Sequence, residues 1–142
     1  MENPSILLVE DDPNDEELIL RTLRTRALQD KVFVAHNGRE ALDYLFGSER
    51  PPRLILLDLK LPKMGGLEVL QALRVDNRTR LTPVVVFTSS VEQTDVTTSY
   101  DLGANSYVRK PVDYKEFSEA LKLVVDYWLG LNMPSPKRQD RH

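Results

Sequence analysis

The chain has no cysteine. That excludes a disulfide framework, a zinc–thiolate site and a thiol nucleophile together. Its only two histidines, His36 and the terminal His142, are too few for a histidine-rich metal site. No apolar run approaches the ~18–20 residues that a membrane-crossing helix needs. The opening "MENPS" lacks the basic and apolar regions of a secretory signal. A basic surplus is missing too: the net charge of -3 argues against a nucleic-acid-binding surface, which needs a positive patch. After the first apolar run there is no glycine-rich G-x-x-x-x-G-K-[ST] cradle for phosphate. An acidic loop stands there instead, and it repels phosphate unless a cation intervenes. These absences lead to the expectation of a cytoplasmic protein with neither membrane nor nucleic acid as partner.

What is present reads as one globular domain. The 142 residues are 41% hydrophobic and 29% charged, enough to bury a core beneath a well-solvated surface. Neither an internal repeat nor a second domain is visible. The domain is expected over residues 1–132, with residues 133–142 as a disordered polar tail ending "PSPKRQDRH".

Four apolar runs punctuate the chain: "SILLV" (Ser5–Val9), "KVFVA" (Lys31–Ala35), "RLILLD" (Arg53–Asp58) and "PVVVFT" (Pro83–Thr88). They show little polar alternation, which predicts strands covered on both faces of a parallel sheet. "NSYVRK" (Asn105–Lys110) is shorter and more polar, as suits an edge strand. Helical spacing of apolar residues fills the intervals. It predicts helices over Pro13 to about Arg26, Gly38–Phe46, Gly66–Val75, Glu92–Leu102 and Asp113 to about Leu131. Asp12 or Asn14 is placed to cap the first. The order is βα repeated five times, so the expected fold is α/β: a doubly wound parallel sheet with right-handed crossovers.

In such a sheet, ligands sit beyond the carboxyl ends of the strands. The chemistry collects there. Strand 1 ends in Glu10, Asp11 and Asp12, strand 3 in Asp58, strand 4 in Thr88 and strand 5 in Lys110. Clustered carboxylates raise one another's pKa unless a cation neutralises them. All-oxygen ligands with few protein contacts suit Mg²⁺, or Mn²⁺ in its place. Beside such a cation Asp58 is set to attack an activated phosphoryl group, with Lys110 and the Thr88 hydroxyl balancing charge on the transferring oxygens.

This constellation resembles the receiver domain of two-component response regulators, over roughly Ser5 to Trp128. The acidic pair Glu10–Asp11, Asp58 in "LILLDLKLPKMGG", Thr88 in "VVVFTSS", Tyr107 and Lys110–Pro111 in "GANSYVRKP" carry the likeness. It implies a flavodoxin-like (βα)5 fold with strand order 2-1-3-4-5, two helices on one face and three on the other. It implies that Asp58 accepts a phosphoryl group from the phosphohistidine of a sensor histidine kinase. Mg²⁺ would be bound by Asp11, Asp58 and the backbone carbonyl of Lys60, and by Glu10 through a water. The Lys110–Pro111 peptide would be cis. Thr88 and Tyr107 would form the switch, which repacks helix 4, strand 5 and helix 5. A homodimer through that face and an unknown downstream protein would be the output partners, since no DNA-binding domain follows. "EDDPND" and "LDLKLPKMGG" are most similar to single-domain regulators paired with bacterial phytochrome-type kinases.

Departures from the family pattern sharpen the expectation. Asp12 adds a third acid and reads as a helix cap. Lys60 and Ser90, each two residues beyond a site residue, occupy positions that tune phosphoryl lifetime in the family, and Lys60 is expected to prolong it modestly. Beyond its own phosphorylation and dephosphorylation, no enzyme activity is expected. A haloacid-dehalogenase-like phosphatase would need an acid two residues after the nucleophile, where this chain has Lys60. A pseudo-receiver acting only as a binding module is the other alternative.

Overall fold

The computed structural model describes residues 4–136. Five strands, β1 (Ile6–Val9), β2 (Val32–Ala35), β3 (Leu54–Leu57), β4 (Val84–Thr88) and β5 (Ser106–Arg109), alternate with five helices. These are α1 (Pro13–Arg24), α2 (Gly38–Gly47), α3 (Gly66–Val75), α4 (Gln93–Asp101) and α5 (Tyr114–Asp126). The strands form one parallel sheet in the order β2-β1-β3-β4-β5.

Successive side chains of a strand point to opposite faces, and the core divides accordingly. Leu7, Val9, Ile55, Leu57, Val84 and Val86 meet α2 and α3 through Ala41, Leu45, Val69 and Leu73. Ile6, Leu8, Leu56 and Phe87 meet α1 and α5 through Ile19, Leu23, Phe117 and Leu121. Leu102 and Tyr107 pack against the first cluster, which sets α4 on the α2–α3 side. β1, β3 and β4 are wholly buried, as their apolar runs require.

β2 departs from the expectation of two covered faces. It is an edge strand, hydrogen-bonded to β1 alone, and Phe33 is 37% exposed. Phe33 finds its cover in Tyr44 of α2, with the rings stacked at 4.0 Å.

The ends of two helices also differ from the periodic pattern. Ala27 at φ 56° turns the chain out of α1, and Leu28 returns its N–H to the Leu23 carbonyl. Leu28 therefore reaches the core from a helix-terminating turn rather than from a continued helix. α5 stops as an α-helix at Asp126 and continues as a wide π turn over Tyr127–Leu131. Of the tail expected at 133–142, residues 137–142 lie outside the described residues. Met133 is almost fully exposed.

One cation organises the end of the sheet opposite the site. Arg74, in the last turn of α3, donates to the carbonyls of Gly103, Thr79, Arg80 and Thr82 and to Asn105 Oδ1. Burial lowers its pKa. It gathers the α3–β4 and α4–β5 connections on one guanidinium, whose planar fork of donors suits several acceptors at once. Gly103, at φ 102°, leaves room for the Arg74 side chain, which a Cβ there would meet at 2.9 Å.

Candidate phosphoryl-acceptor and cation site

Thr88 is the last residue of β4, while Glu10, Asp58 and Lys110 each follow directly on a strand, where the parallel ladder extends one bond further to hold them. Glu10 N–H donates to the Ala35 carbonyl at 2.9 Å, Asp58 N–H to Val9 at 3.1 Å and Lys110 N–H to Thr88 at 2.7 Å. Beyond Asp58 the chain is pressed against the start of α3. A Cβ on Gly66 would lie 2.3 Å from the Asp58 carbonyl oxygen, so the approach requires glycine.

Side chains from four strands converge. Thr88 Oγ1 donates to Asp58 Oδ1 at 2.8 Å. Lys110 Nζ donates to Asp58 Oδ2 at 3.0 Å, to Glu10 Oε1 at 2.6 Å and to Asp15 Oδ2 at 2.8 Å. Glu10, Asp58, Thr88 and Lys110 are all buried, whereas Asp11 is exposed. Lys60 is exposed, and its backbone N–H lies 3.4 Å from Asp58 Oδ1.

Electrostatics separate the two buried acids. Burial pushes the Glu10 carboxyl up to about 7, outweighing the Lys110 ammonium beside it. Asp58 feels the same burial, but the Lys110 charge and the Thr88 hydroxyl hold its pKa below the ordinary value. Burial alone would depress Lys110, yet its bonds to Asp15 and Glu10 raise its pKa. Asp58 is therefore held as an ionised, hydrogen-bonded carboxylate at neutral pH.

The site also fits a hard cation. One carboxylate oxygen from each of Glu10, Asp11 and Asp58 can lie within 4.8 Å of the others. An all-oxygen set open to water on the Asp11 side matches Mg²⁺ or Mn²⁺. Asp12 is not part of it: its carboxylate accepts from the N–H groups of Asn14 and Asp15 and caps α1.

One expectation needs correction. Every described peptide bond is trans, Lys110–Pro111 included. The trans form is the favoured one for an X-Pro bond unless contacts oppose it. Here the strand bond to Thr88 and three carboxylates already aim the lysine inward. Tyr107, expected with Thr88 to form the switch, stands on β5. Its ring is already partly buried, and its hydroxyl donates to the Ser90 carbonyl at 3.0 Å in the β4–α4 loop. Ser90 in turn donates to Asp95 of α4 at 2.5 Å. His36 is a loop residue paired with Glu16 at 2.9 Å. Asp15 was not anticipated. In sequence it reads as one more acid in the first turn of a helix, favoured there by the helix dipole.

Comparison with known proteins agrees with this geometry. Residues 6–122 match the response regulator receiver domain family. The probable methanogenesis regulatory protein FilR2 of Methanothrix harundinacea is 38% identical over 92% of this chain and 88% of its own. Response regulator Rcp1 of Synechocystis is 34% identical over 87% and 88%, and its Mn²⁺-bound crystal form superposes with a TM-score of 0.84, covering 92% of this chain and 97% of that one. The phosphorylated cyanobacterial phytochrome response regulator RcpA superposes with a TM-score of 0.87 at 33% identity, covering 94% and 99%. With its strand order, its matched residues and its full-length likeness to such regulators, the chain belongs to the response regulator receiver domain family.

Proposed function

We propose that this protein is a phospho-accepting response regulator in a two-component phosphorelay. The carrying observation is the convergence of Thr88 and Lys110 on the two oxygens of a buried, ionised Asp58. An Asp58 oxygen attacks the phosphorus of a kinase phosphohistidine. The O–P bond forms as the P–N bond breaks, and the imidazole nitrogen leaves with the electron pair and takes up a proton. Lys110 and Thr88 donate to the oxygens on which charge accumulates. A divalent cation, Mg²⁺ or Mn²⁺, supplies further charge neutralisation when bound by Asp11, Asp58 and the Lys60 carbonyl, with Glu10 acting through a water. The protein promotes its own phosphorylation and dephosphorylation and is not otherwise an enzyme.

Phosphorylation adds negative charge and acceptor oxygens beside Thr88. Thr88 moves toward them, and the β4–α4 loop follows through Ser90 and Tyr107. α4 is suited to this. Its sequence "TDVTTSY" is a weak helix former, and its N-cap residue makes no side-chain capping bond. The α4–β5–α5 face is then the output surface, toward a second copy or a downstream protein. A phosphorylated protein that sediments as a monomer removes the homodimer from this reading. The kinase is proposed to be of phytochrome type on the strength of RcpA.

The reading is tested by incubating the protein with acetyl phosphate and Mg²⁺. A mass gain of one phosphoryl group, lost in Asp58→Asn, supports it. No gain leaves only a binding module.

A further inference from the structure

The third hydrogen bond of Lys110 goes to a residue outside the acidic set at the strand ends. Asp15 Oδ2 accepts from Lys110 Nζ at 2.8 Å, although the two residues are 95 positions apart. The plain alternative is that Asp15 serves only the start of α1. The hydrogen bonds argue otherwise. Asp12 already caps the helix, accepting from the Asn14 and Asp15 N–H groups. The acids that follow have partners of their own: Glu16 pairs with His36 and Glu17 with Arg21. The Asp15 carboxylate is turned inward to the lysine, with its side chain only 31% exposed.

An ammonium has three N–H donors. In the resting protein they are divided among Glu10, Asp15 and Asp58. A phosphoryl group arriving at Asp58 must draw on the same donors. It also enters a pocket in which Asp15 is one more negative charge. We propose that Asp15 is a positioning residue that holds Lys110 back, setting how much of its charge and hydrogen bonding the incoming phosphoryl group receives. This rests on the phosphoryl acceptance at Asp58 proposed above. Asp15 thereby tempers the rate at which the regulator loads, and does so most for the most anionic donor.

The test compares the full chain with Asp15→Asn, Asp15→Ala and Asp15→Glu at saturating Mg²⁺. Initial phosphorylation rates are read by intact mass with acetyl phosphate, a dianion near neutral pH, and with the less negative phosphoramidate. Thermal midpoints confirm that each variant is folded, and Asp15→Asn is isosteric. The Asn and Ala variants are expected to load about fivefold faster with acetyl phosphate, the size of one screened charge interaction across the pocket. The gain shrinks with phosphoramidate and with added salt, and Asp15→Glu restores the parent rate. A residue that only stabilised α1 would not discriminate between donors. If the parent loads at Asp58 but the Asn and Ala variants load no faster, or gain equally with both donors, the role of Asp15 is overturned and phosphoryl acceptance stands. If the parent takes up no phosphoryl group, both fall.

Discussion

The Lys110 ammonium donates to Glu10 Oε1 across 2.6 Å, and both side chains are almost wholly buried. Even with that partner the Glu10 carboxyl is pushed up to about 7 by burial, from an ordinary value of 4.5. Between those values the folded protein holds a proton that the unfolded chain has released. Stability from this group therefore falls as pH rises through the window. Asp58, with its pKa lowered, works in the opposite sense but only toward acid pH. A divalent cation competes with the Glu10 proton and relieves the strain of ionising it. The rise in thermal midpoint produced by Mg²⁺ should grow from pH 5 to about 7 and then level off. In Glu10→Gln that rise should be nearly independent of pH, as differential scanning fluorimetry across the range will show.

Removing the amine should cost stability before it costs chemistry. Lys110→Ala leaves buried carboxylates without their shared counter-charge, a change of about 3–5 kcal/mol in comparable buried pairs. Urea unfolding at pH 8 without divalent ions is the sensitive condition. Millimolar Mg²⁺ or a shift to acid pH should return most of the loss. A variant equally unstable in all conditions would mean that the lysine acts through packing.

Thr88→Val keeps the branched shape and removes the donor. Asp58 Oδ1 would lose its short donor and keep the Lys60 N–H at 3.4 Å. Stability should fall by about 1–3 kcal/mol, the cost of stranding a buried charged acceptor. Loading from acetyl phosphate should slow by roughly tenfold or more. Thr88→Ser, which keeps the hydroxyl, should remain within a few-fold of the parent.

Lys60 is exposed beside the mouth of the pocket. Its ammonium is expected to shield the acyl phosphate from water. Lys60→Ala should shorten the phosphorylated lifetime by about two- to fivefold, roughly 1 kcal/mol or less in barrier. Decay followed by mass against time decides it, and an unchanged lifetime removes the role.

The buried strands and the strand-end chemistry were legible because both are local. Runs such as "LILLD" declare a covered strand and the acid that follows it, and a parallel sheet carries every such end to one rim. What escaped depends on distant neighbours. β2 has the composition of a strand covered on both faces, yet Phe33 is 37% exposed, since the cover of a strand is not written in its own residues; its edge place in the order 2-1-3-4-5 came with the resemblance. Leu28 continues a helical stripe, yet Ala27 ends the helix by a backbone turn that leaves no mark in side-chain periodicity. Asp15 meets Lys110 only once the first turn of α1 is brought to the chain just after β5. The cis bond expected before Pro111 belonged to the resemblance and not to this chain's contacts.

Arg74 bears on how a signal leaves the site. By grasping the Gly103 carbonyl and Asn105 it fastens the trailing end of α4 to the end of α3. The leading end is held to the preceding loop through Ser90, which donates to Asp95 and accepts from the Glu92 N–H. Any excursion of this helix is thus a pivot, widest at Gln93 and vanishing near Leu102, so a docking protein would sense a change in tilt far more than a sideways translation.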